Sequence, residues 1–179
     1  MLKDKYNKEI VPKLMEKFGL KNRMAVPKIE KVSLNVGIKN ENSKDAKFVE
    51  TVEATLTRIT GQKPVRTLAK KSIAGFKIRE GNLVGMKVTL RGDRMWHFLD
   101  KLVNVTFPRV RDFRGISPKV VDKQGNLSVG FKEYISFPEI KPDEVERLHG
   151  LQVTVSTTAG DKEKGLELLT LVGFPFKKD

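Results

Sequence analysis

What most constrains this chain is a change of hydrophobic period. Through Ile10, Val11, Leu14, Met15 and Phe18 the apolar residues recur at helical spacing. From Ile29 the spacing drops to two, with Val32, Leu34, Val36 and Ile38 alternating with Lys31, Ser33, Asn35 and Gly37. An alternation of that kind can bury only one face, so it predicts a strand with apolar residues inward and polar ones outward. Helical spacing returns over residues 44–60 through Val49, Val52, Leu56 and Ile59, and Gly61 ends it. Val65 and Thr67 predict a short strand. Met86, Val88 and Leu90, alternating with Lys87, Thr89 and Arg91, predict another.

The remaining elements follow the same logic. Residues 93–106 predict an amphipathic helix through Met95, Phe98, Leu99, Leu102 and Val103, broken before Pro108. Pro12 predicts a kink or break in the first helix, and Gly19 its end. Strands are expected near Phe131–Phe137 and Leu151–Thr157. A last helix starts near Asp161 as its cap and runs to Gly173. The segment from Arg109 to Gly130 reads as loop. Helices interleaved with non-consecutive strands give an α+β fold: a largely antiparallel sheet with helices packed on one face. The length suits one domain, 1–179.

Charge narrows the partners. The chain holds 35 Lys and Arg against 22 Asp and Glu, a net +13. Residues 61–119 contain 14 of the basic residues and four acids, so that third alone carries 14 − 4 = +10. A cationic surface binds polyanions by releasing their condensed counterions, which points to nucleic acid. A membrane partner is not expected, because no apolar run is long enough to span one and no lipidation glycine follows Met1. With no signal-like N-terminus the expected location is the cytoplasm.

The chemistry of catalysis is missing. There is no cysteine. His97 and His149 are far apart and outside any metal-ligand spacing. Gly81 to Lys87 lacks the length and the terminal Ser or Thr of a phosphate loop. No enzymatic activity, cofactor or metal is expected. What is present is a set of polar strand positions joined by a basic loop. Asn35, Gln62, Thr67, Ser72 and Thr89 offer amides and hydroxyls; Lys63, Lys70, Lys71, Arg79 and Arg91 offer cations. That mixture suits the phosphates, 2′-hydroxyls and base edges of structured RNA. Phe76, set among basic residues and glycines, reads equally as a base-stacking residue or as a buried anchor for its loop. Aromatics are sparse, so backbone and shape recognition is favoured over a stacking platform.

Several runs in order resemble one known family. Leu56 to Ser72, LTRITGQKPVRTLAKKS, resembles the signature of large-subunit ribosomal protein five, the family that binds 5S rRNA. Val26 to Ile29, Leu34 to Gly37, Lys87 to Gly92, Pro108 to Gly115, Phe137 to Ile140 and Gly173 to Phe176 follow in family order, at the length of the bacterial version. The resemblance implies an antiparallel sheet backed by helices and attachment of 5S rRNA to large-subunit rRNA in the central protuberance. The residues it implies for 5S rRNA are Asn35, Gln62 and Thr89, and with the residue chemistry above we expect Lys63, Thr67, Lys70, Lys71 and Arg91 beside them. It also implies that the loop Ser72, Ile73, Ala74, Gly75, Phe76, Lys77, Ile78 and Arg79 reaches P-site tRNA and the small-subunit head protein thirteen. Off the ribosome a monomer is expected. The competing reading is a free RNA chaperone or RNA-processing cofactor of the same fold.

Overall fold

The computed structural model describes residues 2–43, 45–141 and 147–177. The first helical stretch runs as α1 (Leu2–Lys5), a π-helical turn (Tyr6–Ile10) and α2 (Val11–Phe18). Gly19 closes it in the left-handed region (φ 61°), a conformation that glycine adopts without a Cβ penalty. Then come β1 (Ile29–Gly37), a short α3 (Asn40–Ser43) and α4 (Ala46–Thr60). Asp45 caps α4, its side chain accepting from the backbone N–H groups of Lys47 and Phe48. Strands β2 (Val65–Leu68) and β3 (Leu83–Leu90) flank the basic loop. Next are α5 (Gly92–Lys101), a second π turn (Leu102–Thr106) and α6 (Phe107–Arg109). Strands β4 (Leu127–Phe131) and β5 (Leu151–Thr157) precede α7 (Lys162–Val172).

The sheet order is β2-β3-β1-β5-β4. β2 pairs antiparallel with β3, Val65 opposite Lys87 and Thr67 opposite Gly85, with an irregularity at Thr67/Leu68. The fold is therefore α+β, with a largely antiparallel sheet and helices against its apolar face. By packing, the residues form two compact units: Met1–Val32, Leu90–Val129 and Thr154–Asp179 make one, Ser33–Thr89 and Gly130–Val153 the other.

Within the second unit, Leu34, Val36, Met86 and Val88 of the sheet are buried, as are Val49, Val52, Leu56 and Ile59 of α4. These are the positions that the two periods assigned to the core. Within the first unit, Trp96 of α5 lies with its ring 5.3 Å from Tyr6, whose hydroxyl donates to the Pro27 carbonyl (2.9 Å). Trp96 is thus a packing residue. Helix α7 meets the turn before β4 glycine against glycine. A Cβ on Gly165 would stand 2.3 Å from the Gly125 Cα.

Four expectations need correction. The helix does not break before Pro108; it continues through it to Arg109. A proline ring lacks its N–H and clashes with the carbonyl four residues back, and the wider π turn relieves both problems. The Phe107 N–H bonds to the Leu102 carbonyl, and the Val11 N–H to that of Tyr6, so Pro12 and Pro108 are accommodated by the same device. The strand expected near Phe131–Phe137 is displaced: β4 ends at Phe131, and Tyr134–Ser136 is a 3-10 turn. Buried Phe131, Tyr134 and Phe137 recur at three, a spacing no strand uses. Asp161 stands at the α7 N-cap but makes no capping hydrogen bond. The segment read as loop after Arg109 also contains most of β4, and Lys44, first residue of the predicted second helix, lies outside the described residues.

Candidate nucleic-acid interface

In the second unit the sheet has one apolar and one polar face. Ser33 and Asn35 of β1, Thr67 of β2 and Lys87 and Thr89 of β3 alternate with buried or edge positions and point away from the core. Two glycines share the register of these positions, exposed Gly37 at the end of β1 and buried Gly85 in β3. Gly85 is required by close approach: a Cβ there would stand 2.6 Å from the Val36 carbonyl oxygen and 3.3 Å from Thr67 Oγ1. Asn35 is half-buried, and its side-chain amide has no hydrogen-bond partner among the described residues. An amide in that setting retains its donor and acceptor capacity for a partner.

The basic loop rises from this sheet as a short hairpin. Its composition predicts that it extends neither flanking strand, and the structure supplies a different order. The Ala69 N–H donates to the Asn82 carbonyl (2.8 Å) and the Gly81 N–H to that of Ala69 (3.0 Å). Higher up, Ile73 and Ile78 exchange backbone hydrogen bonds of 2.9 and 3.2 Å, and the Glu80 N–H donates to Ser72 Oγ (2.9 Å). A 3-10 turn, Ala74–Phe76, forms the tip, followed by Lys77 in the left-handed region (φ 53°, ψ 32°). We call residues 69–82 the arm. Phe76 is 72% exposed and Ile73 49%. The anchor alternative for Phe76 is therefore overturned: at the far end of a two-stranded arm there is no core for the ring to enter.

Charge is distributed unevenly over this unit. Lys70, Lys71, Arg79 and Lys87 have no carboxylate partner among the described residues. Lys63 and Arg66 do: Arg66 donates to Glu53 Oε2 from both Nη2 (2.8 Å) and Nε (3.3 Å), and Lys63 Nζ lies 3.8 Å from Glu53 Oε1. The Arg66 hydrogen bonds, outweighing a small burial penalty, hold the Glu53 carboxyl below the usual carboxylate range. Gln62 joins α4 to β2, its backbone N–H donating to Thr60 Oγ1 (3.3 Å).

Of the residues singled out from sequence, Asn35, Gln62, Lys63, Thr67, Lys70, Lys71, Thr89 and the whole loop Ser72–Arg79 fall in this unit. Arg91, exposed at the N-cap of α5, belongs to the other unit. Sequence reading passed over Lys87, although its place in the alternation beside Thr89 marks it as outward. It also passed over Gly85, whose role is visible only once β1 and β2 are in place.

The family model described as ribosomal protein L5 matches residues 22–79, and the model for the C-terminus of that ribosomal protein family matches residues 83–176. The chain belongs to the ribosomal L5 protein family. It is 53% identical over 177 residues to the large ribosomal subunit protein uL5 of Carboxydothermus hydrogenoformans, covering 99% of this chain and 98% of that protein. The uL5 proteins of Halothermothrix orenii (54% over 178 residues, 99% of each chain) and Brevibacillus brevis (54% over 177 residues, 99% and 98%) are similarly close. The chain is thus a structural, non-enzymatic component of the large ribosomal subunit, acting in translation. No helix among the described residues is long and apolar enough to cross a membrane.

Of the two histidines, one packs in a core. His149 is 7% exposed, stacked on Tyr134 with ring centroids 4.1 Å apart and edge-on to Phe48 at 6.4 Å. Burial pushes its pKa down, opposed by a contact to the Gly150 carbonyl, so it sits neutral in the second unit's core. His97 is exposed on α5.

Proposed function

We propose that this chain binds 5S rRNA through the polar face of its sheet, helps attach it to large-subunit rRNA in the central protuberance, and reaches P-site tRNA and the small-subunit head protein thirteen with its arm. The observation that carries the reading is the combination on one unit of an outward, unpartnered Asn35 amide and cations at the arm's root without internal carboxylates. RNA recognition needs both: donors and acceptors for 2′-hydroxyls and base edges, and charge for phosphates. In this reading the contacts on this unit are Asn35, Gln62, Thr67 and Thr89 with Lys70 and Lys71, and Arg91 of the other unit is a separate expected contact. Lys63 contributes less, because Glu53 already offsets its charge. The chain works as one domain, is monomeric off the ribosome, and acts in the cytoplasm.

The test is a titration of the purified protein with 5S rRNA in the presence of tRNA and an unrelated RNA duplex. The expected result is 5S rRNA binding that both competitors fail to displace, with an affinity that falls log-linearly with salt. Equal competition by all three RNAs would favour a non-selective RNA chaperone of the same fold. Lys70→Ala or Lys71→Ala is expected to weaken every RNA alike and to lower the log–log salt slope by about one.

A further inference from the structure

A second basic loop, in the first unit, has no part in the site above. Residues 109–115 read Arg109, Val110, Arg111, Asp112, Phe113, Arg114, Gly115. The three arginines are exposed, and none has a carboxylate partner among the described residues. Three unpaired guanidinium groups so close in sequence repel one another, so a loop without a function would be expected to disperse or pair them.

The loop is also held rigidly. Phe113 stacks on buried Phe107 (centroids 5.3 Å, 24° between planes), and Phe107 meets Phe174 edge-on at 5.9 Å. The Ile116 N–H donates to the Pro175 carbonyl (2.8 Å), and the Lys177 N–H to that of Ile116 (2.9 Å). Val110 is extended and half-buried, with Arg109 and Arg111 exposed on either side of it. Asp112 takes a left-handed backbone (φ 51°), a region that aspartate enters more readily than most residues with a Cβ and that turns the chain between Arg111 and Phe113. Lys177 adds a fourth cation, its Cγ only 3.0 Å from where a Cβ on Gly115 would be.

We propose that this arginine loop is a second RNA surface, which grips the phosphate backbone of a segment of large-subunit rRNA while the sheet of the other unit holds 5S rRNA. Arginine is the residue for this job. Its planar fork donates two parallel hydrogen bonds to a phosphate, and it holds its charge at every physiological pH. With Phe113 stacked inward, the exposed charges of the loop are three arginines against the single carboxylate of Asp112, a net 3 − 1 = +2, so it reads backbone and not bases. An acidic protein would also be attracted to it, but a ribosomal subunit's dominant polyanion is its RNA. The inference rests on the reading above only in that the chain binds RNA.

The experiment saturates the full-length protein with 5S rRNA. It then titrates the complex with labelled, deproteinised large-subunit rRNA over a range of salt, with tRNA in excess as competitor. The variant Arg109→Gln, Arg111→Gln, Arg114→Gln is expected to keep 5S rRNA affinity within about twofold. Its capture of large-subunit rRNA is expected to fall at least about tenfold, with a salt slope lower by about two. A tenfold loss of 5S rRNA affinity would make the loop part of the first site and overturn the proposal. Unchanged capture of large-subunit rRNA would overturn it too, including the case where only the joining of subunits suffers and the partner is a protein. The corresponding triple lysine variant restores the charge and is expected to restore the slope; a slope that stays low overturns the phosphate assignment. Should the glutamine triple fail to fold, Arg111→Gln alone is read for a slope change of about one. If the wild type fails to bind 5S rRNA, the earlier reading falls, and the same titration on the free protein still tests the arginine loop.

Discussion

The molecule carries two basic loops built on opposite plans. The arm, residues 69–82, takes its positive charge from Lys70, Lys71, Lys77 and Arg79, holds itself together with its own backbone hydrogen bonds and leaves Phe76 and Ile73 exposed at its end. The arginine loop, residues 109–115, is tied to the C-terminal segment and turns its aromatic residue inward onto Phe107. The difference teaches that net charge alone does not define a surface. An exposed apolar tip on a cationic hairpin has a cost in water and gains only when a partner covers it. A cationic loop with its apolar side chain turned inward needs no such cover, and can offer charge in a fixed geometry. The arm is built for a partner with a face to cover; the arginine loop is built for phosphates.

The sharpest test of that contrast is to remove the same ring from each loop's setting. Phe107 is 1% exposed between Phe113 and Phe174. Phe107→Ala is therefore expected to lower unfolding free energy by about 3–5 kcal/mol, as for other large-to-small changes in a core. Phe76→Ala is expected to change it by less than about 0.5 kcal/mol. Urea unfolding of both variants decides the matter. A comparable loss in the two would mean that Phe76 is a packing residue and the arm is not poised for a partner.

The next effect concerns RNA affinity. Asn35→Ala or Thr89→Ala is expected to weaken 5S rRNA binding by about 1–3 kcal/mol with the salt slope unchanged, since neither side chain carries charge. Replacing residues 73–80 with a short Gly-Ser linker is expected to leave that affinity within about threefold, while impairing subunit joining or tRNA placement in assembled ribosomes. Folded Asn35 and Thr89 variants that bind normally would move the site off the sheet face. Loss of 5S rRNA binding in the linker variant, with ribosome function intact, would mean that the arm belongs to the 5S rRNA site and not to tRNA.

Sequence patterning made most of the architecture legible, for a physical reason. The alternation at Val32, Leu34, Val36 and the helical spacing at Val49, Val52, Leu56 each describe one buried face, and burial dictates both. It failed where burial and hydrogen bonding part company. Pro108 looks like a helix stop because its missing donor is visible in sequence, while the π turn that absorbs it is not. Phe131, Tyr134 and Phe137 looked like a strand because they are β-prone, although their spacing of three belongs to a turn. In the candidate site, Asn35 and Thr89 were readable as outward positions. Arg66 was readable only as a charge, since its partner Glu53 lies 13 residues away on another element. The apparent +10 of the middle segment therefore overstates what a ligand feels.

The two units are also expected to differ in their response to acid. Among the described residues, the second unit holds a buried histidine, His149, and the first unit's His97 is exposed. Burial depresses the folded pKa of His149 below its ordinary value of about 6.5, so between those two pH values the unfolded chain binds more protons. Stability from this residue is full above pH 6.5 and is lost as pH falls, by at most about 1.4 kcal/mol per pH unit. Hydrogen exchange, corrected for its intrinsic rate, should show α4 and β3 losing protection between pH 7 and pH 5 more than α7 does, and His149→Phe should flatten that response. Equal loss in both units would assign the acid sensitivity elsewhere.

The smallest expected effect is the most informative about the arm. Lys77 follows the tip turn in a left-handed conformation (φ 53°) that costs a residue with a Cβ roughly 1 kcal/mol and glycine almost nothing. Glycine would relieve that strain but widen the unfolded ensemble by a similar amount, roughly 0.5–1 kcal/mol. Lys77→Gly is therefore expected to leave the unfolding midpoint nearly unchanged or to raise stability by less than about 1 kcal/mol. In assembled ribosomes the same variant should weaken tRNA placement, because the left-handed backbone that suits glycine is held here by a residue that brings a cation to the arm's end. Strain kept at an exposed tip is expected where a side chain is needed for binding. A variant that is more stable and fully active would show that the lysine at this position serves neither purpose, and that the arm presents only its apolar tip.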